Sequence, residues 1–504
     1  MMKRFILSLL TVLSVVLGYA QKKHVTIQSQ QEIQVQQLLH HFFENPALTY
    51  MFYDQSYGEV KVGNTLQQNS EIYDPMLGRA SNTISFDAFS FKKSKHHNVY
   101  GRAIYRNRIT RDIQWNNVEN HPLVWPYVVA DSIGGKAYIE QYSFDGAWSR
   151  QYHKMRVGLQ ANYLASESNR KLDPRAKSLT WHLQLKGGVS WKVSPRYVVA
   201  SYVHWEQYEQ SHNIIHMKPG TSSKIFYLQG FGQSDSGYDK IISEGKSIAN
   251  TYEVNTTNVY MQLSPYTGTG WLFNVGLGRS NLSLFEENNH LVNTYHSNIY
   301  NGVLGYTTNS GLDQWIFKVT THYYQKTGLE YERNTIDEII NTMPRYRETD
   351  LQLKSSVLWV QNSSHLSHLH RLGIYYNYNK MDYSAWMARH KNSKEISGLQ
   401  LHLEEGLEVS KGRKSFKVNA GLKYFHPITH KLSNDDTNTT IYNELVQPIY
   451  LSESTSRLDV FLRLRVDFPI TKRHLLFVES KVKTSWYKQY ESNNVWQAAI
   501  GMLL

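Results

Sequence analysis

Cysteine is absent from the 504-residue chain. Its absence excludes disulfide bonds, a lipid-anchored N-terminal cysteine, thiolate metal sites and cysteine nucleophiles together. Beyond Ala20, no stretch offers about twenty uninterrupted apolar residues, so a bundle of membrane-spanning helices is excluded as well. The mean hydropathy of −0.50 points in the same direction.

Catalytic motifs are also missing. The sequence contains no Gly-x-Ser-x-Gly elbow, no His-Glu-x-x-His pair and no glycine-rich phosphate loop that ends in lysine. A hydrolase with Ser, His and Asn or Asp on separate strands stays open, because such triads need not be close in sequence. We therefore expect a protein that is not an enzyme and has no cofactor.

Aromatic residues and period-two alternation are what the chain has in abundance. It contains 36 Tyr, 18 Phe and 12 Trp, types that favour strands and the interfacial girdles of membrane barrels. Every second residue from Leu458 to Phe468 is apolar, and charged residues alternate with most of them. The pattern recurs at 474–487 and 494–504. Segments of about ten residues with this alternation are typical of transmembrane strands that face lipid on one side and water on the other.

About eighteen segments show this alternation, and connections between them alternate between short and long, as in bacterial barrels. We predict an all-β fold, a transmembrane antiparallel β-barrel of about eighteen strands within a range of about 14 to 20. The predicted strands are 52–65, 80–91, 98–109, 137–150, 154–165, 178–193, 197–210, 250–263, 270–284, 296–307, 313–325, 346–360, 370–381, 396–409, 414–425, 456–468, 474–487 and 494–504.

The N-terminus predicts export. Lys3 and Arg4 precede a short apolar block, and small residues lie at the two positions that a signal peptidase reads, so residues 1–20 are expected to be a signal peptide. Residues 21–50 lack strand alternation and are predicted to form an N-terminal periplasmic or plug segment, followed by the barrel over 51–504. The expected location is the outer membrane of a Gram-negative bacterium, with outer-membrane lipid around the barrel.

The inward-facing positions are predicted to carry many positive charges, and the chain has a net charge of +12. An open lumen with such a lining should prefer anions, whereas charges that pair across the interior would select nothing. Both interpretations stay open. Lys318, Lys354 and Arg371 belong to this inward row. The residues predicted to set anion selectivity are Arg463, Arg465, Lys481, Lys483, Arg102 and Arg106.

Three histidines, His365, His368 and His370, lie together near one short connection. Neutral imidazole is a general transition-metal ligand, so a metal site is one interpretation, and solvated polar side chains are the other. Glu405 falls in an outward row of leucines, where a bulge or a register shift is expected. The long segment 211–249 could fold inward as a constriction, lie across the mouth of the barrel, or form a solvated surface loop.

The run Glu44-Asn45-Pro46-Ala47, together with the export signal and the strands that continue to the C-terminus, resembles an uncharacterised family of Bacteroidetes outer-membrane β-barrels. Asn45, Pro46 and Ala47 also look like a run near the start of long-chain fatty-acid transporters and type IX secretion barrels. The resemblance implies an outer-membrane location and a role in nutrient uptake or secretion, with these three residues in the plug.

Two functions are therefore expected from the sequence. The first is a porin-like channel or uptake protein whose basic lumen passes or helps import small anionic solutes. The second is a barrel without a pore that docks a secretion or TonB-linked uptake complex through its basic periplasmic turns and N-terminal segment. Its partner would be a periplasmic or outer-membrane protein. Nucleic acid is not an expected partner, because the positive residues alternate along strands instead of clustering.

Overall fold

The computed structural model describes residues 44–504 except 53–55, 72, 232, 235–237, 267–268, 288–289, 311–312, 335–337, 364, 385–390, 434–439, 472–473 and 489–491. The predicted signal peptide and residues 21–43 of the predicted N-terminal segment lie outside the described residues. The first described elements are a single 3-10 turn, Pro46–Leu48, and a short helix, Thr49–Phe52.

Twenty-one strands follow along the chain. They are β1 (Tyr57–Gln68), β2 (Ala80–Lys93), β3 (His97–Ile113), β4 (Tyr127–Ala130), β5 (Gly135–Tyr152), β6 (Met155–Arg170), β7 (Arg175–Lys192), β8 (Tyr197–Ile215), β9 (Ser222–Gln229), β10 (Lys240–Ser243), β11 (Ser247–Pro265), β12 (Gly270–Glu286), β13 (His290–Ser310), β14 (Asp313–Arg333), β15 (Ile339–Asn362), β16 (Leu366–Ser384), β17 (Lys391–Lys411), β18 (Lys414–Ser433), β19 (Arg457–Pro469), β20 (Leu475–Tyr487) and β21 (Ser492–Leu503). Short helical segments occur at His121–Val124, Tyr442–Val446 and Gln447–Ser454.

Eighteen of these strands form one sheet, and β4, β9 and β10 form a separate sheet of three. Successive strands of the large sheet pair antiparallel, and β1 also pairs with β21, in a register that runs from Glu59 opposite Leu503 to Gln68 opposite Asn494. This last pairing closes the sheet into a barrel. Closure removes both sheet edges, which a membrane-spanning sheet requires because its backbone groups find no water in the hydrocarbon.

The predicted closed barrel is confirmed, and each of the eighteen predicted segments overlaps one barrel strand. Most of the observed strands are longer than predicted, and β15 reaches 24 residues. The apolar alternation reports only the lipid-facing band, while backbone pairing continues past it. The first strand begins at Tyr57 instead of residue 52, since Thr49–Phe52 is helical.

The outer and inner faces of the barrel invert the usual pattern of burial. On β17, Leu401 and Leu403 are 47% and 45% exposed, whereas the intervening His402 and Glu404 are 2% and 7% exposed. Apolar side chains thus point away from the protein and polar ones into it. Among the described residues, no helix combines the length and apolarity of a membrane span.

Two neighbouring residues of β14 allow a test of which side chains face lipid and which face the interior. Val319 points outward and is 39% exposed, and Thr320 beside it lines the interior. Val319→Arg should lower the free energy of unfolding in lipid vesicles by about 2–4 kcal/mol, because the charge enters the hydrocarbon. The matched change Thr320→Arg should cost much less. Equal losses in urea titrations of the two variants would contradict the assignment of faces.

Candidate functional site in the barrel interior

Two long connections fold into the barrel at the end where long loops join the strands. They are residues 114–134 between β3 and β5 and the described part of 216–246 between β8 and β11, together called the loop plug. Within it, β4 pairs with β9 from Tyr127 opposite Gln229 to Ala130 opposite Phe226. All four residues of β4 are 0% exposed. Of the three alternatives for segment 211–249, the solvated surface loop is therefore excluded, because its strand β9 packs with β4 inside the long-loop end of the barrel.

Side chains of the barrel wall hold the loop plug through its backbone. The Val129 N–H donates to the Tyr252 hydroxyl at 2.9 Å, and the Tyr295 hydroxyl donates to the Leu123 carbonyl at 2.8 Å. Lys326 Nζ donates to the Trp125 carbonyl at 3.0 Å. Buried backbone groups need such partners, so these wall residues make the inward fold of the plug stable.

A second set of polar contacts holds the plug on the side of β6. The Arg170 guanidinium donates to Asp131 Oδ2 at 2.7 Å and to Asn117 Oδ1 at 2.8 Å, and all three residues are buried. Ser166 Oγ donates to Glu119 Oε1 at 2.7 Å. Burial raises the pKa of the Glu119 carboxyl, because loss of water disfavours the charged form.

At the opposite end of the interior, Asn45-Pro46-Ala47 forms a turn against the inner wall. The Ala47 N–H donates to Asn45 Oδ1 at 2.9 Å, and Asn45 Nδ2 donates to the Ser201 carbonyl at 3.0 Å. Asn45 and Ala47 are both 0% exposed. One asparagine side chain therefore closes the turn and also joins it to β8.

A pair of glycines makes room for this turn. Gly158 on β6 and Gly188 on β7 are register partners. A Cβ added at Gly158 would lie 2.3 Å from the Pro46 carbonyl carbon, and one added at Gly188 would lie 2.0 Å from Asn45 Oδ1. Any side chain at either position would occupy the place of the turn. The wall is therefore shaped to receive Asn45-Pro46-Ala47.

Next to the turn lies a polar cavity of about 550 Å³ against β11 to β16. Three cationic side chains line it, Lys318, Lys354 and Arg371, and Glu44 is the single carboxylate among its lining residues. Tyr260 lines the cavity, while Tyr252, nearer the long-loop end of the same strand, holds the loop plug. The cavity therefore lies on the short-turn side of the plug, and its lining is suited to a small anion.

The predicted selectivity residues lie on the inner face, and several of them are neutralised there. Arg463 Nη2 lies 2.7 Å from Glu479 Oε2, and Lys483 Nζ lies 3.3 Å from Asp459 Oδ2. The remaining contacts are Arg465 with Asp467 at 3.0 Å, Arg102 with Asp87 at 2.6 Å, and Arg106 with Gln141 at 3.0 Å. At the cavity, Arg371 likewise lies 3.6 Å from Glu404, while Lys318 and Lys354 line the open space itself, an arrangement that no sequence pattern revealed.

The chain matches a known family over nearly its whole described length. Residues 46–504 match the model of a family described as a family of unknown function, DUF6850. The chain belongs to this DUF6850 family. No curated protein matches this chain.

Solved structures that resemble this chain include three transport proteins at low identity. The ferric preacinetobactin receptor BauA of Acinetobacter baumannii is 7% identical with a TM-score of 0.41, and the alignment covers 89% of this chain and 80% of BauA. The copper transporter OprC is 8% identical with a TM-score of 0.38, covering 89% and 81%. The ferric citrate transporter FecA is 8% identical with a TM-score of 0.37, covering 89% and 78%.

Of the three histidines predicted as metal ligands, His370 contacts a carboxylate and an aromatic ring instead. His370 Nδ1 lies 2.5 Å from Glu405 Oε2, and its ring stacks on Trp359 with 4.7 Å between centroids. In the part of the chain that the structure describes, no three His, Asp or Glu side chains are close enough to share a metal ion. The histidine site therefore has no support from the arrangement of His365, His368 and His370.

The expectation of a bulge or register shift at Glu405 is wrong. Strand pairing runs without interruption through Glu405, from His370 on β16 to Ala420 on β18. The register shift in β17 lies instead between Ser397 and Gly398. Glu405 faces outward, and a histidine on the neighbouring strand is its partner, which the sequence pattern of one strand cannot reveal.

The close contact of Gly158 and Gly188 with the Asn45-Pro46-Ala47 turn predicts how that turn can be displaced. Gly158→Ala or Gly188→Ala should displace the turn, so a cysteine introduced by Ala47→Cys should react faster with a thiol reagent in these backgrounds. The chain has no other cysteine, so the reaction reports one site. Gly187→Ala is the matched control, because its Cβ would meet its nearest atom, Leu159 Cδ2, at 3.7 Å. Equal labelling rates of the Ala47→Cys thiol in all backgrounds would show that Gly158 and Gly188 do not hold the turn.

The buried Glu119 predicts a pH-dependent loop plug. Its raised pKa means that the protonated carboxyl stabilises the plug at low pH, and that this stabilisation is lost as pH rises through the raised pKa. A thiol introduced by Val128→Cys should therefore react faster when residue 119 is glutamate than when it is glutamine. The ratio of the two labelling rates should increase as the pH rises. The ratio of the two rates cancels the ionisation of the thiol itself. A ratio that stays constant with pH would refute this expectation.

Proposed function

We propose that this protein is an outer-membrane transport barrel that admits small anionic solutes and is gated by its own inward-folded segments. The observation that carries the proposal is the interior cavity with Lys318, Lys354 and Arg371 and a single lining carboxylate, Glu44. The amide of Asn301 and the hydroxyl of Tyr375 also line it. Such a set can replace part of the water shell of a carboxylate, a phosphate or a similar anion.

The outer-membrane location is proposed from the apolar outer wall together with the predicted signal peptide 1–20. This location implies a Gram-negative organism, and the resemblance to Bacteroidetes barrels narrows the source to that group. Outer-membrane lipid would surround the barrel, which would act without catalysis. Residues 44–52 would act as the described part of a plug that reaches back toward residue 21.

In this proposal the loop plug is the outer gate. Its wall contacts, such as Tyr295 with Leu123 and Lys326 with Trp125, would break when the plug moves. The cavity cations then receive the solute on the inner side of the plug. The Asn45-Pro46-Ala47 turn would be the inner gate, because Glu44 beside it lines the same cavity.

A second function, docking of a secretion or TonB-linked uptake complex through a protein partner, is favoured by a different observation. Gly158 and Gly188 contact the N-terminal turn so closely that the turn is suited to permanent attachment to the barrel wall. A permanently filled barrel would serve as an anchor, and residues 21–43 would extend from it toward a partner. The two functions differ in whether the interior ever conducts.

Planar-bilayer conductance under a salt gradient separates the two functions. The wild type should conduct rarely, and a variant with residues 219–243 replaced by a short Gly-Ser linker should carry a steady, anion-selective current. In the linker background, Lys318→Gln, Lys354→Gln and Arg371→Gln together should lower the anion preference severalfold.

The matched control changes three exposed turn cations, Lys92→Gln, Lys95→Gln and Lys154→Gln. This control removes the same charge and should keep most of the selectivity. Equal selectivity in both triple variants would refute the cavity as the anion site. Silence from the linker variant, when it migrates on gels as a folded barrel, would favour the docking function.

A further inference from the structure

A row of polar side chains runs along the inner face of β15, since alternate residues of a strand share one face. Four successive inward positions are Glu348, Asp350, Gln352 and Lys354. Lys354 Nζ donates to Gln352 Oε1 at 2.8 Å, and Gln352 Nε2 donates to Asp350 Oδ1 at 3.2 Å. Both Lys354 and Gln352 line the cavity. One end of the row thus borders the space proposed for the anion.

Beyond Asp350 the row continues to a buried carboxylate. Asn379 on β16 is the register partner of Asp350. Its Nδ2 donates to Glu348 Oε1 at 3.1 Å and, at 3.4 Å, to Asp350 Oδ2. Glu348 is 4% exposed, and the Tyr346 hydroxyl donates to its Oε2 at 3.0 Å. One amide therefore joins the two carboxylates of the row.

The far end of the row reaches the loop plug. The Trp125 indole Nε1 donates to the Tyr346 hydroxyl at 3.1 Å. Lys326 Nζ, which donates to the Trp125 carbonyl, also lies 3.5 Å from Glu348 Oε2. Trp125 is thus held at its ring and at its backbone by groups that contact Glu348. The wall residues that connect the cavity to the plug are together called the polar chain: Lys354, Gln352, Asp350, Asn379, Glu348 and Tyr346.

We propose that an anion in the cavity loosens the loop plug through the polar chain. This inference rests on the anion-binding function proposed above and adds its regulation. The Lys354 side chain is exposed to the cavity, so its ammonium can donate to Gln352 or turn toward an anion near Lys318 and Arg371. An ammonium drawn to the anion leaves Gln352 Oε1 without this donor. The two positions of the ammonium are the two states that the anion selects between.

Loss of this contact passes along the polar chain because neighbouring acceptors share donors. Without its lysine partner, the Gln352 amide is free to rotate away from Asp350. Asp350 then competes more strongly with Glu348 for the amide of Asn379. The less firmly fixed Glu348 carboxylate in turn orients the hydroxyl that accepts from Trp125 less well. By linkage, a plug that is already loose raises the affinity of the cavity for the anion by the same factor.

Two measurements on the purified barrel test the coupling, with inorganic phosphate as the probe and chloride of equal ionic strength and pH as the reference. Calorimetric titration gives the phosphate affinity, and the labelling rate of a thiol introduced by Val128→Cys reports how firmly the plug is held. Saturating phosphate should raise this rate severalfold. With Gln352→Met the thiol should label fast with or without phosphate, because methionine has a similar size to glutamine but no amide.

Trp125→Phe gives the reciprocal measurement at the plug end, since Trp125 is not among the residues that line the cavity. Loss of the indole N–H should raise the phosphate affinity severalfold. In the Gln352→Met background the same change should add nothing, because residues that act through one network are not additive. Thr320→Val is the matched control. Thr320 is the register partner of Lys354 and lines the cavity but lies outside the polar chain, so phosphate should still speed labelling.

Heat-modifiable migration on gels shows that each variant is folded before it is measured. Phosphate that binds the wild type without changing the labelling rate would overturn the coupling and leave the cavity as an anion site. Absence of phosphate binding would refute the anion cavity, and the coupling with it. Additive effects of Trp125→Phe and Gln352→Met on phosphate affinity would show that plug and cavity respond separately, which also overturns the proposal.

Discussion

Closure of the sheet is the constraint on which the rest of the structure depends. A barrel of 18 strands is wider than its own inward side chains can fill, so its interior must hold water or chain. Here chain enters from both ends, as the loop plug and as the Asn45-Pro46-Ala47 turn. Polar side chains of the wall hold both. The interior thus has the burial of a folded core and the composition of a surface.

Charge in this interior follows from the same constraint. Inward charges that lie beside carboxylates on neighbouring strands form pairs, as Arg463 does with Glu479, and such pairs contribute little net field. The wall around Lys318, Lys354 and Arg371 offers an open cavity beside these charges, with Glu44 in its lining and Glu404 3.6 Å from Arg371. An anion is therefore expected at the cavity instead of along the whole lumen. The contrast comes from which strands are neighbours, not from the number of basic residues.

The sequence was sufficient for the barrel because alternation is local, and the eighteen strands and their outward rows could be predicted from single segments. Contacts between distant segments could not. Gly158 and Gly188 are 30 positions apart, and only their register and the turn at Asn45 explain both. The contact between His370 and Glu405 could not be predicted either, because the two residues become neighbours only when β16 pairs with β17. The inward fold of the loop plug likewise depended on tyrosines of separate strands, Tyr252 and Tyr295.

The most direct measurement is the access of a membrane-impermeant thiol reagent from outside the cell to a single cysteine in the cavity, introduced by Thr320→Cys. A rim cysteine from Lys177→Cys provides the reference rate, because that side chain is 55% exposed. The account predicts that the cavity cysteine labels many times more slowly than the rim cysteine, and that shortening the 216–246 connection removes most of the difference. Comparable rates in the unaltered barrel would contradict a lumen closed by its own chain.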